Sequence, residues 1–237
     1  MALEKKNISI FIPCFNEIET IQKSIDQALK LKIFKKEIII IDNGSTDGSQ
    51  KVINKYKNKK NFKIILRERN LGYGSSVKQA LKISNSKYMY IHFSDCEYDI
   101  RTVIKMHLLA ESKQLDVVFG SRLKNFSLIK KVTLLKDKPS YLGTFVITGL
   151  YNLLYATDFT DVIGSKFYKI NSVKKIKIKS NHFRYDFKLK SKIIKNKLKI
   201  EEVFTKYKPR VDSTKKNVKF YHLFPAIYEI LKNKLID

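Results

Sequence analysis

Asp95 and Glu97 stand two residues apart in the segment Asp95-Cys96-Glu97-Tyr98-Asp99. In an extended loop that spacing turns both carboxylates to the same side. Hard oxygen donors of this kind suit Mg²⁺ or Mn²⁺, with phosphate oxygens and water completing the shell. A second reading stays open for Asp95, and for Asp99: the cap of a helix that begins near Ile100. Four further polar clusters accompany this one, namely Asn16 with Glu17, Asp42 to Asp47, Arg67 to Asn70, and Ser121 with Arg122. Each follows an apolar run.

The runs are Ile8 to Ile12, Glu37 to Ile41, Phe62 to Leu66, Tyr88 to Phe93 and Asp116 to Gly120. Helical spacing separates them, as in Ile21, Ile25, Ala28 and Leu29, so strand and helix alternate. The expected fold class is α/β, with a mostly parallel central sheet flanked by helices. Four consecutive isoleucines, Ile38 to Ile41, fit a strand buried on both faces. Such sheets bind ligands beyond the carboxyl ends of their strands, so five clusters on that edge make a site. Inside the sharpest cluster, Asp42-Asn43-Gly44-Ser45-Thr46-Asp47-Gly48, the glycines serve backbone turns. Asp47, followed by Gln50, reads as a helix N-cap with its capping box.

Lys and Arg number 48 against 22 Asp and Glu, a formal net charge of +26, which favours anionic partners: phosphates, an anionic membrane surface or nucleic acid. The abundance of Ile, Asn, Tyr and Phe is also what A/T-rich codons produce, so mutational bias stands beside function as a source of the lysines. Two cysteines, Cys14 and Cys96, make no disulfide framework and fit a reduced, cytoplasmic compartment. The residues before the first strand lack the apolar core of a signal peptide. Pro139 to Thr157 carries no charge but is interrupted by glycines, Asn152 and hydroxyl residues; a buried or interfacial helix is expected rather than a span.

The alternation ends near residue 121. A basic loop, Lys124 to Lys138, leads to the uncharged segment; a helix from about Arg184 to Lys197, a short strand Lys199 to Phe204 and Tyr207-Lys208-Pro209-Arg210 follow. The tail places Phe220, Leu223, Phe224, Ile227 and Leu231 on one helical face, either core or interfacial. The whole chain, 1–237, is expected to form one domain in two halves, 1–122 and 123–237.

Ile12-Pro13-Cys14-Phe15-Asn16-Glu17, Ile41 to Gly48, Arg69-Asn70-Leu71-Gly72-Tyr73-Gly74 and Asp95 to Asp99, in this order, resemble the family 2 inverting glycosyltransferases. The closest likeness is to polyprenyl-phosphate sugar transferases such as dolichol-phosphate mannose synthase. Gly120-Ser121-Arg122, Asp161 to Lys166 and Tyr207 to Lys216 extend it over most of the chain. The resemblance implies a GT-A type fold and a nucleoside diphosphate sugar donor. It gives Asp42 the base edge, Glu17 the ribose and Pro13 with Phe15 an apolar wall, with Ser45 and Ser94 in the same donor site. Lys78, Arg122, Arg210 and Lys216 become the counter-charge for the diphosphate, and Asp95 and Glu97 the metal ligands. Asp95 and Arg122 would act in catalysis. Asp186, in His182-Phe183-Arg184-Tyr185-Asp186, becomes the candidate base; a charge favoured by the helix dipole is its other reading.

Two departures stand out. The family's Asp-x-Asp element begins with an acid where this chain has Phe93, and its Arg-x-x-Gly-x-Ser-Lys pattern lacks the glycine in Arg210 to Lys216. A sugar hydroxyl acceptor must lose a proton as it attacks and so needs a base, whereas a lipid phosphate is already ionised. The leading expectation is therefore transfer of a sugar to a polyprenyl phosphate or a glycan at the inner face of the cytoplasmic membrane. A degenerate, non-catalytic membrane-associated partner is the alternative. Nucleic acid ranks last, since no binding module is present.

Overall fold

The computed structural model describes residues 8–31, 35–182, 184–210 and 223–235. Seven strands are β1 (Ile8–Cys14), β2 (Lys36–Asp42), β3 (Phe62–Leu66), β4 (Tyr88–Ile91), β5 (Val117–Ser121), β6 (Lys166–Lys169) and β7 (Ile200–Phe204). The helices are α1 (Ile21–Lys30), α2 (Ser49–Asn54), α3 (Tyr73–Ile83), α4 (Thr102–Ser112), α5 (Leu128–Asp137), α6 (Leu142–Tyr155), α7 (Ile170–Lys174), α8 (Tyr185–Lys195) and α9 (Leu223–Leu235).

One sheet runs β3-β2-β1-β4-β6-β5-β7. All neighbours are parallel except β6, which is antiparallel to both β4 and β5. The sheet thus interleaves the two halves expected from sequence: β6, from beyond residue 122, separates β4 from β5. Being antiparallel, β6 begins where its neighbours end, and Lys166 pairs with Ile91.

Alternating strand residues feed two cores. Phe11, Ile39, Ile41, Met89 and Ile91 face one, packed with residues of α3, α6, α8 and α9. Ile8, Ile10, Ile12, Ile38, Ile40 and Tyr90 face the other, with α1 and α4. Ile38 to Ile41 are all buried, as a strand covered on both faces requires, and each such side chain contributes on the order of 1.5–3 kcal/mol.

The segment expected to be a basic loop holds α5, whose start is capped by the Ser127 hydroxyl accepting the Lys130 N–H at 3.3 Å. None of its residues is buried. The uncharged segment forms a short turn and α6, with Ile147, Thr148 and Tyr151 buried. Among the described residues no helix is long and apolar enough to cross a membrane. In α9 the buried face differs from the expected stripe. Ala226, Glu229, Ile230 and Asn233 turn inward and Leu223 and Ile227 pack at the margin, while Phe224 (66% exposed) and Leu231 (38%) face out. Lysines 188 and 195 flank the inward side, and Lys188 holds the buried Glu229 at 3.0 Å, which is why a polar residue rather than Phe224 takes that position. Phe220 lies outside the described residues.

Candidate active site

The ends of β1 and β2 are laced together. The Ser45 hydroxyl accepts the Asn16 N–H (2.8 Å), Ser49 Oγ accepts that of Glu17 (3.0 Å), and Asp47 accepts that of Ile18 (2.9 Å). Asp42 is fully buried, and its oxygens accept the N–H groups of Gly44 (3.1 Å) and Ser45 (2.9 Å), the Ser45 hydroxyl and the Gln50 amide (2.7 Å). In this state it shapes the turn instead of presenting a free edge to a base. Gln50 consequently makes no capping box with Asp47, whose carboxylate takes the Ser49 N–H at 2.9 Å. Gly44 has φ +82°, and a Cβ there would lie 2.6 Å from the Arg69 carbonyl carbon, so only glycine lets the second and third loops meet.

Beyond β4, the Ser94 hydroxyl donates to the Pro13 carbonyl (2.9 Å), fixing the acidic loop against β1. Ser94 is buried, so it supports that loop rather than lining an open surface. Asp95 Oδ1 accepts the Glu97 N–H at 3.1 Å, across a left-handed Cys96 (φ +57°). It caps no helix, and neither does Asp99: α4 starts from Arg101 without a side-chain cap, and Asp99 accepts the Arg101 N–H at 3.0 Å in the turn before it. Burial, together with the neighbouring charge of Glu97, raises the Asp95 carboxyl to about 6 against the opposing pull of Arg210.

Arg210 is where the acids converge. Its Nη1 lies 2.9 Å from Glu17 Oε2, its Nε 3.5 Å from Glu97 Oε1 and its Nη2 3.9 Å from Asp95 Oδ2. Tyr207 donates its hydroxyl to the other Glu97 oxygen at 2.8 Å. Asp95 and Glu97 offer hard oxygen donors of the kind a divalent ion takes. Among the described residues no group of three acids is close enough to hold a metal alone. Asp95 and Glu97 would therefore hold Mg²⁺ or Mn²⁺ together with diphosphate oxygens and water.

The remaining cations are already engaged. Arg122 forks onto the buried Asp161 (Nε–Oδ2 2.6 Å, Nη2–Oδ1 3.0 Å), bonds Thr144 at 3.0 Å, and lies 5.0 and 5.2 Å from the Tyr141 and Tyr207 rings. Its guanidinium buttresses Tyr207, and through it Glu97, rather than standing free for a diphosphate. Lys78 donates to Asn181 Oδ1 (2.6 Å) and the Ile178 carbonyl (3.3 Å), away from the acids. Lys216 lies outside the described residues. Asp186, in the first turn of α8, pairs with Lys166 at 2.9 Å. The Lys166 ammonium also sits 5.1 Å over the ring of Phe93, which stacks on Tyr73.

Glu17 meets Asp95, Glu97 and Arg210 at one mouth, Pro13 is tied to the acidic loop through its carbonyl, and Phe15 is 39% exposed at the end of β1. A cavity of about 880 Å³ opens beside Glu97, between the acidic loop, α5 and residues 204–208, with Tyr98, Arg122, Tyr141 and Tyr207 among its walls. Tyr207, Asp161 and Lys166 carry positions that sequence reasoning left without roles; their motifs were visible, but nothing in them names the partner.

The mostly parallel sheet thus carries, at its carboxyl edge, an acidic loop after β4 whose carboxylates meet Arg210. Residues 9–176 match the model of Glycosyl transferase family 2, and the chain belongs to that family. It is 27% identical over 172 residues to the poly-β-1,6-N-acetyl-D-glucosamine synthase of Staphylococcus epidermidis, covering 66% of this chain and 41% of the relative. It is 30% identical over 116 residues to the cholesterol galactosyltransferase of Borreliella burgdorferi, covering 49% and 32%. The chain thus spans less than half the length of these relatives. In fold it resembles Mycobacterium tuberculosis glucosyl-3-phosphoglycerate synthase in complex with Mn²⁺, UDP and phosphoglyceric acid (TM-score 0.69, 14% identity, 96% of this chain, 77% of that one). It also resembles S. aureus TarS 1-349 (TM-score 0.56, 17% identity, 96% and 71%). The architecture is the GT-A type.

Proposed function

We propose that the chain is an inverting glycosyltransferase that takes a sugar from a nucleoside diphosphate donor to a polyprenyl phosphate or a glycan. The observation that carries this is the meeting of Glu17, Asp95 and Glu97 around one cation at the carboxyl edge of the sheet. Asp95 and Glu97 hold the metal, which when bound neutralises charge growing on the leaving diphosphate. Glu17 holds ribose hydroxyls, Pro13 and Phe15 wall the base, and Asp42 with Ser45 keeps the turn that receives it. Arg210 supplies positive charge at the mouth, and Arg122 acts as a positioning residue behind Tyr207.

The state of Asp186 favours an ionised acceptor. Its carboxylate is already engaged by the Lys166 ammonium at 2.9 Å. A phosphate acceptor asks for no base, only for alignment with the anomeric carbon. A membrane-borne acceptor agrees with the apolar side chains left outward on neighbouring helices: Leu128 and Ile129 on α5, Leu153 on α6, Phe224 and Leu235 on α9. Lysines interleave them, as an anionic cytoplasmic surface requires. Phe93 favours the second reading, a member that binds donor without turning it over.

The test is a thermal-shift screen against UDP-, GDP-, CMP- and dTDP-linked sugars, with and without Mn²⁺ or Mg²⁺. Metal-dependent stabilisation by one donor is the expected result. Silence toward every donor rejects the reading, and binding without any turnover moves it to the non-catalytic form.

A further inference from the structure

We propose that Arg210 is the resident counter-cation of the Glu17, Asp95 and Glu97 carboxylates, exchanged for a divalent ion only when a nucleoside diphosphate arrives with it. The inference rests on the donor-site reading above and adds an order of events to it.

The guanidinium stands against the two acids, Asp95 and Glu97, that would hold a metal. It touches all three acids, at 2.9, 3.9 and 3.5 Å, with a second Nη2 approach to Glu17 at 3.5 Å. The chain leading to it is tied to the same loop. Tyr98 and Tyr207 form an antiparallel bridge; the Lys208 N–H donates to the Glu97 carbonyl (2.8 Å), and the Asp99 N–H to that of Lys206 (3.1 Å). The Arg210 N–H itself donates to Glu97 Oε1 at 3.3 Å. Residues 206–210 therefore hold the guanidinium at high local concentration over the acids, and a metal ion arriving alone must first evict it.

Eviction has a route. The Arg210 side chain is 29% exposed, so it leaves without opening either core. Acids gathered this closely attract a dication more strongly than they attract a guanidinium, but the displaced arginine then needs an anion. A diphosphate supplies one with the forked geometry that arginine matches. Metal and nucleotide then bind cooperatively: the nucleotide takes the arginine and frees Glu17 for its ribose, and the metal takes Asp95 and Glu97. The arginine moves by a side-chain rotation and stays at the mouth, now against the leaving group.

The experiment is Mn²⁺ titration of the full chain followed by electron paramagnetic resonance of the free ion, without nucleotide and then with UDP. Wild type is expected to bind Mn²⁺ weakly alone and more tightly with UDP. Arg210→Ala and Arg210→Gln should bind Mn²⁺ alone at least about tenfold more tightly, with little further gain from UDP. Lys208→Ala removes an equal charge from the same strap without touching a carboxylate, and should behave as wild type. Unchanged Mn²⁺ affinity in the Arg210 variants overturns the proposal, as does an equal gain in Lys208→Ala. Should loss of Arg210 unfold the chain, Mn²⁺ restoring its melting temperature supports the exchange, and failure to restore it overturns it. Because the Arg210 comparison is read with Mn²⁺ alone, it stands apart from the donor screen: silence toward every nucleotide sugar rejects the donor reading, whichever way that comparison falls.

Discussion

Phe93 and Lys166 act as one unit. An ammonium 5.1 Å above the ring, already paired with Asp186, stands beside the position where the family carries an acid. A carboxylate introduced there would find that ammonium before it found a metal. Phe93→Asp alone should therefore change Mn²⁺ affinity in the presence of UDP by less than about threefold. Phe93→Asp combined with Lys166→Leu should raise it further, and calorimetric titration of both variants checks the difference. Asp95→Asn, in contrast, should abolish the metal-dependent part of any donor-induced thermal shift while leaving the fold intact. Residue identities at the mouth were legible in the sequence because short polar clusters follow apolar runs. Their engagements were not. Arg122 meets Asp161 across 39 residues, Glu97 meets Tyr207 across 110 and Glu17 meets Arg210 across 193, and no local pattern encodes such partners. The same limit explains Lys78, whose helix position gave no sign of Asn181, 103 residues away.

Among the elements, β2 shows how a strand start is secured. Burial alone would raise the Glu37 carboxyl, but the Lys63 ammonium at 2.7 Å, the hydroxyls of Ser9 and Ser86 and the Asn85 N–H outweigh it and bring it down to about 2. A depressed carboxyl pKa stabilises the fold above its unfolded value, near 4.5, and that contribution fades as pH falls toward 2. Glu37→Gln should thus lose about 2 kcal/mol at pH 7, a deficit that narrows between pH 5 and pH 2 in urea melts. Gly44→Ala, pressed against the Arg69 backbone at positive φ, should lower stability by about 2 kcal/mol or more and loosen donor binding with it. Strands β1, β2, β4 and β5 were legible because both faces of a central strand are apolar, and β3, half-buried at the sheet edge, through its apolar run alone. The α5 helix was not, because none of its residues is buried and no core imposes a spacing on its apolar side chains. In α9 the register was set by Lys188 reaching Glu229, a contact between helices that periodicity cannot rank against Phe224.

At the scale of the molecule, a charge of +26 meets a surface with unpartnered apolar stripes. Phe224, Tyr228, Leu231 and Leu235 line the outer face of α9, and Leu142, Val146 and Leu153 that of α6, the helix it packs on. Vesicles rich in anionic lipid should retain the chain at low salt and release much of it at high salt, whereas neutral vesicles should not retain it. A Phe224→Ser, Leu235→Ser double variant should weaken retention several-fold in co-sedimentation with no loss of melting temperature. The strand order has a temporal consequence. A ribosome that has delivered Ser121 has made five strands, yet only four can join, because the neighbours of β5 begin at Lys166 and Ile200. At ordinary elongation speeds the wait until Phe204 lasts roughly 4–17 s. During that interval Val117 to Phe119 form a naked sticky edge, and nascent chains stalled there are the ones a chaperone must shelter.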